Sequence, residues 1–362
     1  MEYELYKDYV SQTVTNSYPK YIREIIVKIL KDKGIIVDEL EQKDEDLTIE
    51  ASLSKSLEEH QEAIKFIEEW EFIRPYKHAV LFIYSGFNQG ALERLKTVGE
   101  IIPFVADPEV FDVLLAIDPD SVAAPRFQTP TFFEDDSKLY FKFNLKYKGY
   151  LPGTNTQTKL KYPILIVIHK DMPVLEVRFD RINTYYKDGE TFYRDKIKLA
   201  TTWAEVNLAL NLENFNLQPI LDYVDRSELP DLTVSAKRMD LKKGGKVTLE
   251  SNKDYVLPLL GELKELMKEH EDEFIKSPVI NQLLIDFITN TEETSDLPWM
   301  SLCWKNKVKT KDVIVKFQHN YYKEEYTLLQ YTGVLKELER MDNVTKHLIE
   351  LKDKLDKQPD AI

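Results

Sequence analysis

The sequence predicts an α+β protein: mostly antiparallel sheets backed by helices, a helical or small α/β N-terminal section, and a long C-terminal helix. Three observations carry this. Residues 138–182 hold three consecutive runs of strand periodicity with no helical run between them. Residues 299–331 hold three more. The last apolar series, Val334, Leu338, Met341, Val344, Leu348, Leu351 and Leu355, steps by threes and fours as a heptad helix does. These patterns divide the chain into sections 1–130, 131–228 and 229–362.

Composition bounds the function classes. With 362 residues, 43% hydrophobic and 11% aromatic, the chain has enough apolar material for two or three cores. The formal charge of -14 opposes indiscriminate coating of nucleic acid or anionic membrane, so a nucleic-acid site has to be a local patch. Cys303 is the single cysteine, which excludes an intramolecular disulfide and a cysteine-based zinc site and fits a reducing cytoplasm. The first residues, Met1-Glu2-Tyr3-Glu4-Leu5, lack both a basic start and an apolar run, so no signal peptide is expected. Apolar runs such as 163–168 are far too short to span a bilayer. The expectation is a cytoplasmic protein with no membrane partner.

The elements follow in order. Ile22, Ile25, Ile26 and Ile29 have helical spacing, and Gly34 stands where a left-handed cap ends such a helix. Residues 47–53 are expected to form a short strand. Ser54 or Ser56 then caps a helix with Leu57, Ile64, Ile67 and Trp70 inward and Glu58, Glu59, Glu62, Glu68 and Glu69 outward. Residues 38–71 carry a net charge of -10, which suits either a solvated helix face or a surface that pairs with a basic region. The continuous apolar run 79–84 predicts a buried strand and 89–98 a short helix, a strand–helix alternation that suggests parallel pairing. Pro103, Pro108, Pro119, Pro125 and Pro130 then predict a loop-rich junction, with room for two helical turns over 110–117.

In the meander, Leu139, Phe141, Phe143, Leu145 and Tyr147 alternate with Lys138, Tyr140, Lys142, Asn144, Lys146 and Lys148. Strand two, 161–169, is apolar at nearly every position, as a strand covered on both faces should be. Strand three, 174–182, alternates again, and 203–212 and 216–224 have the helical spacing to cover the apolar face. Lys242-Lys243-Gly244-Gly245 predicts a hairpin turn; it lacks the upstream glycine and the following Ser or Thr of a phosphate loop. Residues 257–267 and 279–288 predict helices, with Pro278 at a helix start. Strands are expected at 299–304, 313–318 and 326–331. The closing heptad seam suits packing on its own domain or self-association, from Val334 to Leu355, as a short coiled coil.

Two stretches carry a local net charge of +5, residues 136–181 and residues 304–323, both interleaved with aromatics. Lysines neutralise phosphates and aromatic faces stack unpaired bases, so the candidate binding residues are Lys138, Tyr140, Lys142, Lys146, Lys148, Lys161, Arg178, Lys307, Lys309 and Lys311. Exposed lysine also guards strand edges against aggregation, which is the plainer use of the same pattern. Asp171, Glu176 and Arg178 resemble the Asp and Glu-x-Lys of metal-dependent nucleases of the restriction-like kind, with arginine in place of the lysine. That resemblance would place Mg²⁺ on Asp171 and Glu176.

None of the six histidines forms an i,i+4 pair, so no metal site is expected from local spacing. With no nucleophile turn, no dinucleotide fingerprint and only 11 glycines, no cofactor is expected either. The sequence therefore points to a non-enzymatic binding or assembly subunit whose basic sheet faces engage nucleic acid or an acidic protein surface. The alternatives are a metal-dependent nuclease with a carboxylate pair and a purely protein-binding scaffold. Richness in lysine, isoleucine and tyrosine suits an AT-rich bacterial genome and one component of a multi-protein system such as antiviral defence.

Overall fold

The computed structural model describes residues 2–36, 45–104, 129–227, 229–242, 244–251, 260–305, 312–333 and 339–357. The chain forms two compact units, Met1–Asn214 and Phe215–Ile362. Both combine helices with mostly antiparallel strands, the α+β class expected.

The first unit begins with helix α1 (Glu2–Gln12), which runs into a π-helical turn (Thr13–Ser17), then α2 (Lys20–Asp32), α3 (Glu45–Glu59) and α4 (Gln61–Ile73). Gly34 closes the region after α2 at φ 70°, as its position suggests. The strand expected at 47–53 is instead part of α3. Leu53 and Leu57 are buried, and Ile49 packs against the same apolar cluster; four-residue steps put all three on one helical face, which seven residues of near-alternation cannot outweigh. That cluster also takes in Ile22, Ile26, Ile64, Ile67 and Trp70.

Strand β1 (His78–Ser85), helix α5 (Gln89–Thr97) and strand β2 (Ile102–Pro103) come next. Asn88 caps α5 by accepting from the Gly90 and Ala91 N–H groups at 2.8 and 3.3 Å. Most of the proline-punctuated junction, including 110–117, lies outside the described residues. Strand β3 (Thr131–Glu134) leads to the meander of β4 (Lys138–Tyr150), β5 (Gln157–His169) and β6 (Val174–Phe179), followed by α6 (Phe192–Leu208) and β7 (Asn211–Asn214). Within this unit the strand order is β2-β3-β4-β5-β6-β1, and β7 pairs with β1. Where parallel pairing was expected around β1, β1 is antiparallel to β6 and to β7, and the parallel pair of this unit joins β2 to β3. The helix expected over 203–212 starts earlier and stops at Leu208, where Ala209 turns left-handed at φ 54° and releases the chain into β7.

In the second unit α7 (Gln218–Arg226) precedes the hairpin of β8 (Leu232–Asp240) and β9 (Lys246–Glu250), in which Asp240 faces Lys246 across the predicted turn. Helices α8 (Leu260–Glu269), α9 (Glu271–Ile275) and α10 (Pro278–Glu293) follow. Strands β10 (Asp296–Trp304), β11 (Val313–Gln318) and β12 (Leu328–Thr332) then build a sheet ordered β12-β11-β10-β8-β9, and α11 (Glu339–Lys357) closes the unit. Among the described residues no helix is long and apolar enough to cross a membrane.

Candidate functional site

The alternation along β4 does separate two faces, and both are covered over its first half, with exposure rising toward its far end. Leu139, Phe141 and Phe143 are buried, and the Trp203 ring of α6 lies 5.1 Å from both phenylalanine rings, tilted to Phe141 and edge-on to Phe143, so the apolar face has the helical cover its pattern required. On the other face, register places Lys146 opposite Lys161, Lys142 opposite Leu165, and Leu165 opposite Arg178. Tyr140, Lys142, Lys161 and Arg178 are all at most 2% exposed. At these four positions the cationic face of the meander is interior.

The glutamate-rich helix α4 covers it. Lys142 Nζ donates to Glu68 Oε2 at 2.6 Å, Glu71 Oε2 at 3.2 Å and the Glu68 carbonyl at 2.7 Å, which uses all three ammonium protons. Lys161 Nζ donates to Glu68 Oε1, to Glu71 Oε2 at 2.6 Å and to the Tyr6 hydroxyl at 3.4 Å. The Tyr18 hydroxyl donates to the remaining Glu71 oxygen at 3.0 Å. Two carboxylates and two ammoniums thus close a neutral set. Burial pushes the Glu71 carboxyl up, but Lys161, then Lys142 and Arg74, outweigh it and hold the pKa down at about 2. For Lys161 burial lowers and Glu68 and Glu71 raise, with a net rise that keeps it charged. Glu68, expected on the outer face of its helix, is fully buried because it meets these cations.

The open edge of β5 explains why α1 lies there. β6 pairs only with residues 164–168 of β5, so the earlier N–H groups need other acceptors. Gln12 Oε1 takes the Lys159 N–H at 2.8 Å, and Thr13 Oγ1 takes the Lys161 N–H at 2.7 Å.

The carboxylate pair does not assemble. Asp171 is exposed at the β5–β6 turn, whereas Glu176 is fully buried. Glu176 accepts from Arg178 Nε at 2.8 Å through one oxygen and lies 2.6 Å from His169 Nε2 through the other. Burial raises the Glu176 carboxyl, but Arg178 and then His169 drive it well below the usual carboxylate range. Both oxygens are occupied by protein cations or donors, and no group of three His, Cys, Asp or Glu side chains suited to a metal occurs among the described residues.

Of the other predicted residues, Lys138 and Lys146 are half-buried and Lys148 is exposed, while Lys307, Lys309 and Lys311 lie outside the described residues. Within the heptad seam Met341, Val344, Leu348, Leu351 and Leu355 are buried, so that face of α11 packs inside its own unit; Val334 and Leu338 lie outside the described residues. His347 on α11 accepts from the Trp304 indole N–H at 3.0 Å, and Lys354 donates to the Tyr223 hydroxyl at 2.7 Å.

The helices expected at 257–267 and 279–288 are α8 and α10, and the feature not expected of them is an apolar face left exposed on α10. Lys264 on α8 bridges both oxygens of Glu292 on α10 at 2.7 and 2.9 Å, which ties the two helices together. Ile288 is 5% exposed and is the only fully buried apolar residue of α10. Val279, Ile280, Leu283 and Phe287 are 72%, 55%, 63% and 57% exposed. At about 100° per residue these four span roughly 100° of helix surface, the width of a face that ordinarily meets a core. Leu266 on α8 and Ile275 on α9 are also exposed. The signal was present in the sequence: apolar residues in 279–288 occupy more of the helix circumference than one buried face requires.

No family model, curated protein or solved structure matches this chain.

Proposed function

We propose that this protein is a non-enzymatic assembly subunit, one component of a multi-protein complex, that docks another protein through the exposed face of α10. The observation that carries this reading is the four-residue apolar stripe, Val279, Ile280, Leu283 and Phe287, left in water on a well-formed helix. Scattered apolar residues on a surface are ordinary, but a contiguous helical face is what interaction surfaces use. Full burial of such a side chain is worth about 1.5–3 kcal/mol, and roughly half of each is available here, so the stripe supplies about 3–6 kcal/mol. Association costs about 4–15 kcal/mol, so the apolar contact needs polar or charged contacts around it.

The test is cross-linking in cells of the source organism, comparing the wild type with a Leu283→Gln/Phe287→Gln variant. The lysines at 264, 268 and 276 should cross-link to a second polypeptide in the wild type and lose most of that signal in the variant, with an unchanged thermal midpoint. Equal cross-linking by both forms would remove α10 as the docking face.

A further inference from the structure

We propose that the occupant of the α10 stripe is a cationic amphipathic helix of another protein, apolar on one face and flanked by lysine or arginine. This rests on the reading of α10 as a docking face and adds the chemistry of what docks. Residues 260–293 carry nine carboxylates against three lysines, a net charge of -6. The sequence of α10 holds three carboxylates and no lysine or arginine. Two of the three lysines are already engaged, Lys264 by Glu292 at 2.7 Å and Lys276 by Glu273 at 2.7 Å. The stripe therefore belongs to a segment of net negative charge, with Asp286 beside Phe287, and complementary potential selects the partner's sign.

The same charge rejects the other occupants. A second copy would bring one net -6 segment against another, and like charges facing each other oppose such pairing. Helices that lie on membranes carry lysine and arginine on the polar face, so an anionic bilayer would be repelled. Nucleic acid is excluded by sign. An apolar stripe on a net-negative helical segment fits a helix laid lengthwise with its own apolar anchors at three- and four-residue spacing.

Fluorescence anisotropy with the full chain decides it, using two labelled 18-residue synthetic helices with the same leucine stripe, one flanked by lysines and one by glutamates. The lysine peptide should bind the wild type at least tenfold more tightly than the glutamate peptide. It should weaken at least tenfold on Leu283→Gln/Phe287→Gln, which leaves every charge in place and so separates stripe binding from general attraction to an acidic protein. Raising salt from 50 to 200 mM should also weaken it severalfold.

Equal binding of both peptides, lost in the variant, would overturn the cationic partner while keeping α10 as a docking face. Lysine-peptide binding that the variant leaves unchanged, or no binding by either peptide, would overturn the proposal. Sedimentation showing a dimer that the variant dissolves would also overturn it, in favour of a second copy.

Discussion

Lys142 and Lys161 show how one residue type at strand spacing has two opposite uses. An ammonium buried without compensation is prohibitive, so each lysine at these positions requires a carboxylate, and Glu68 and Glu71 stand three residues apart on α4, on the same helical face. Such a set contributes little net stability over an apolar replacement of all four, but removing one member strands a charge. Lys161→Met should therefore cost about 3–5 kcal/mol in denaturant unfolding. Restoring charge balance with Glu68→Gln in the same chain should recover a substantial part; no recovery would mean the cost was packing alone.

Acid sensitivity follows with its sign. Glu71 is held at about 2 against an ordinary 4.5, so its contribution is complete above 4.5 and is lost as pH falls from there through 2. Glu71→Gln should be less stable than wild type at pH 7 but should show a shallower loss across that acid window, measured by urea midpoints at stepped pH. A parallel slope would place the acid sensitivity elsewhere.

Strands and helices were legible where a pattern was long or strongly punctuated. β4, β5 and β6 fall close to their expected positions because thirteen-residue strands and a Pro-containing turn leave little freedom, and the β8–β9 hairpin follows from its paired glycines. The segment at 47–53 failed because a short apolar alternation also fits helical steps, and contacts with Ile26 and Ile64 settled it. The cationic face of β4 failed differently: periodicity says which residues share a face, not what lies over it, and the -10 stretch that covers it was recognised only as one of two readings. Gly149 in β4 was not singled out at all, yet a Cβ there would stand 2.6 Å from the Tyr185 carbonyl oxygen and 2.9 Å from its ring. Backbone cannot step aside as a flexible side chain can, so Gly149→Ala should cost about 1–3 kcal/mol. An alanine variant with wild-type stability would show that the Thr184–Tyr186 turn is free to retreat.

For the molecule as a whole, charge decides between the partner classes. A net of -14 gives a long-range field that repels polyanions and accelerates encounter with cations. The sequence balanced that field against the basic stretch at 136–181, but Lys142, Lys161 and Arg178 are neutralised inside, and Lys148 is the one exposed lysine of β4, with Lys138 and Lys146 half-buried. What remains on that strand is too sparse to reverse the sign of the approach. Labelled single- and double-stranded oligonucleotides should therefore show no saturable binding at 150 mM salt, and the weak signal at 50 mM should not change when Lys146 and Lys148 are both replaced by Glu. Saturable binding that this replacement abolishes, with a steep salt dependence, would restore the nucleic-acid reading to the outer end of β4.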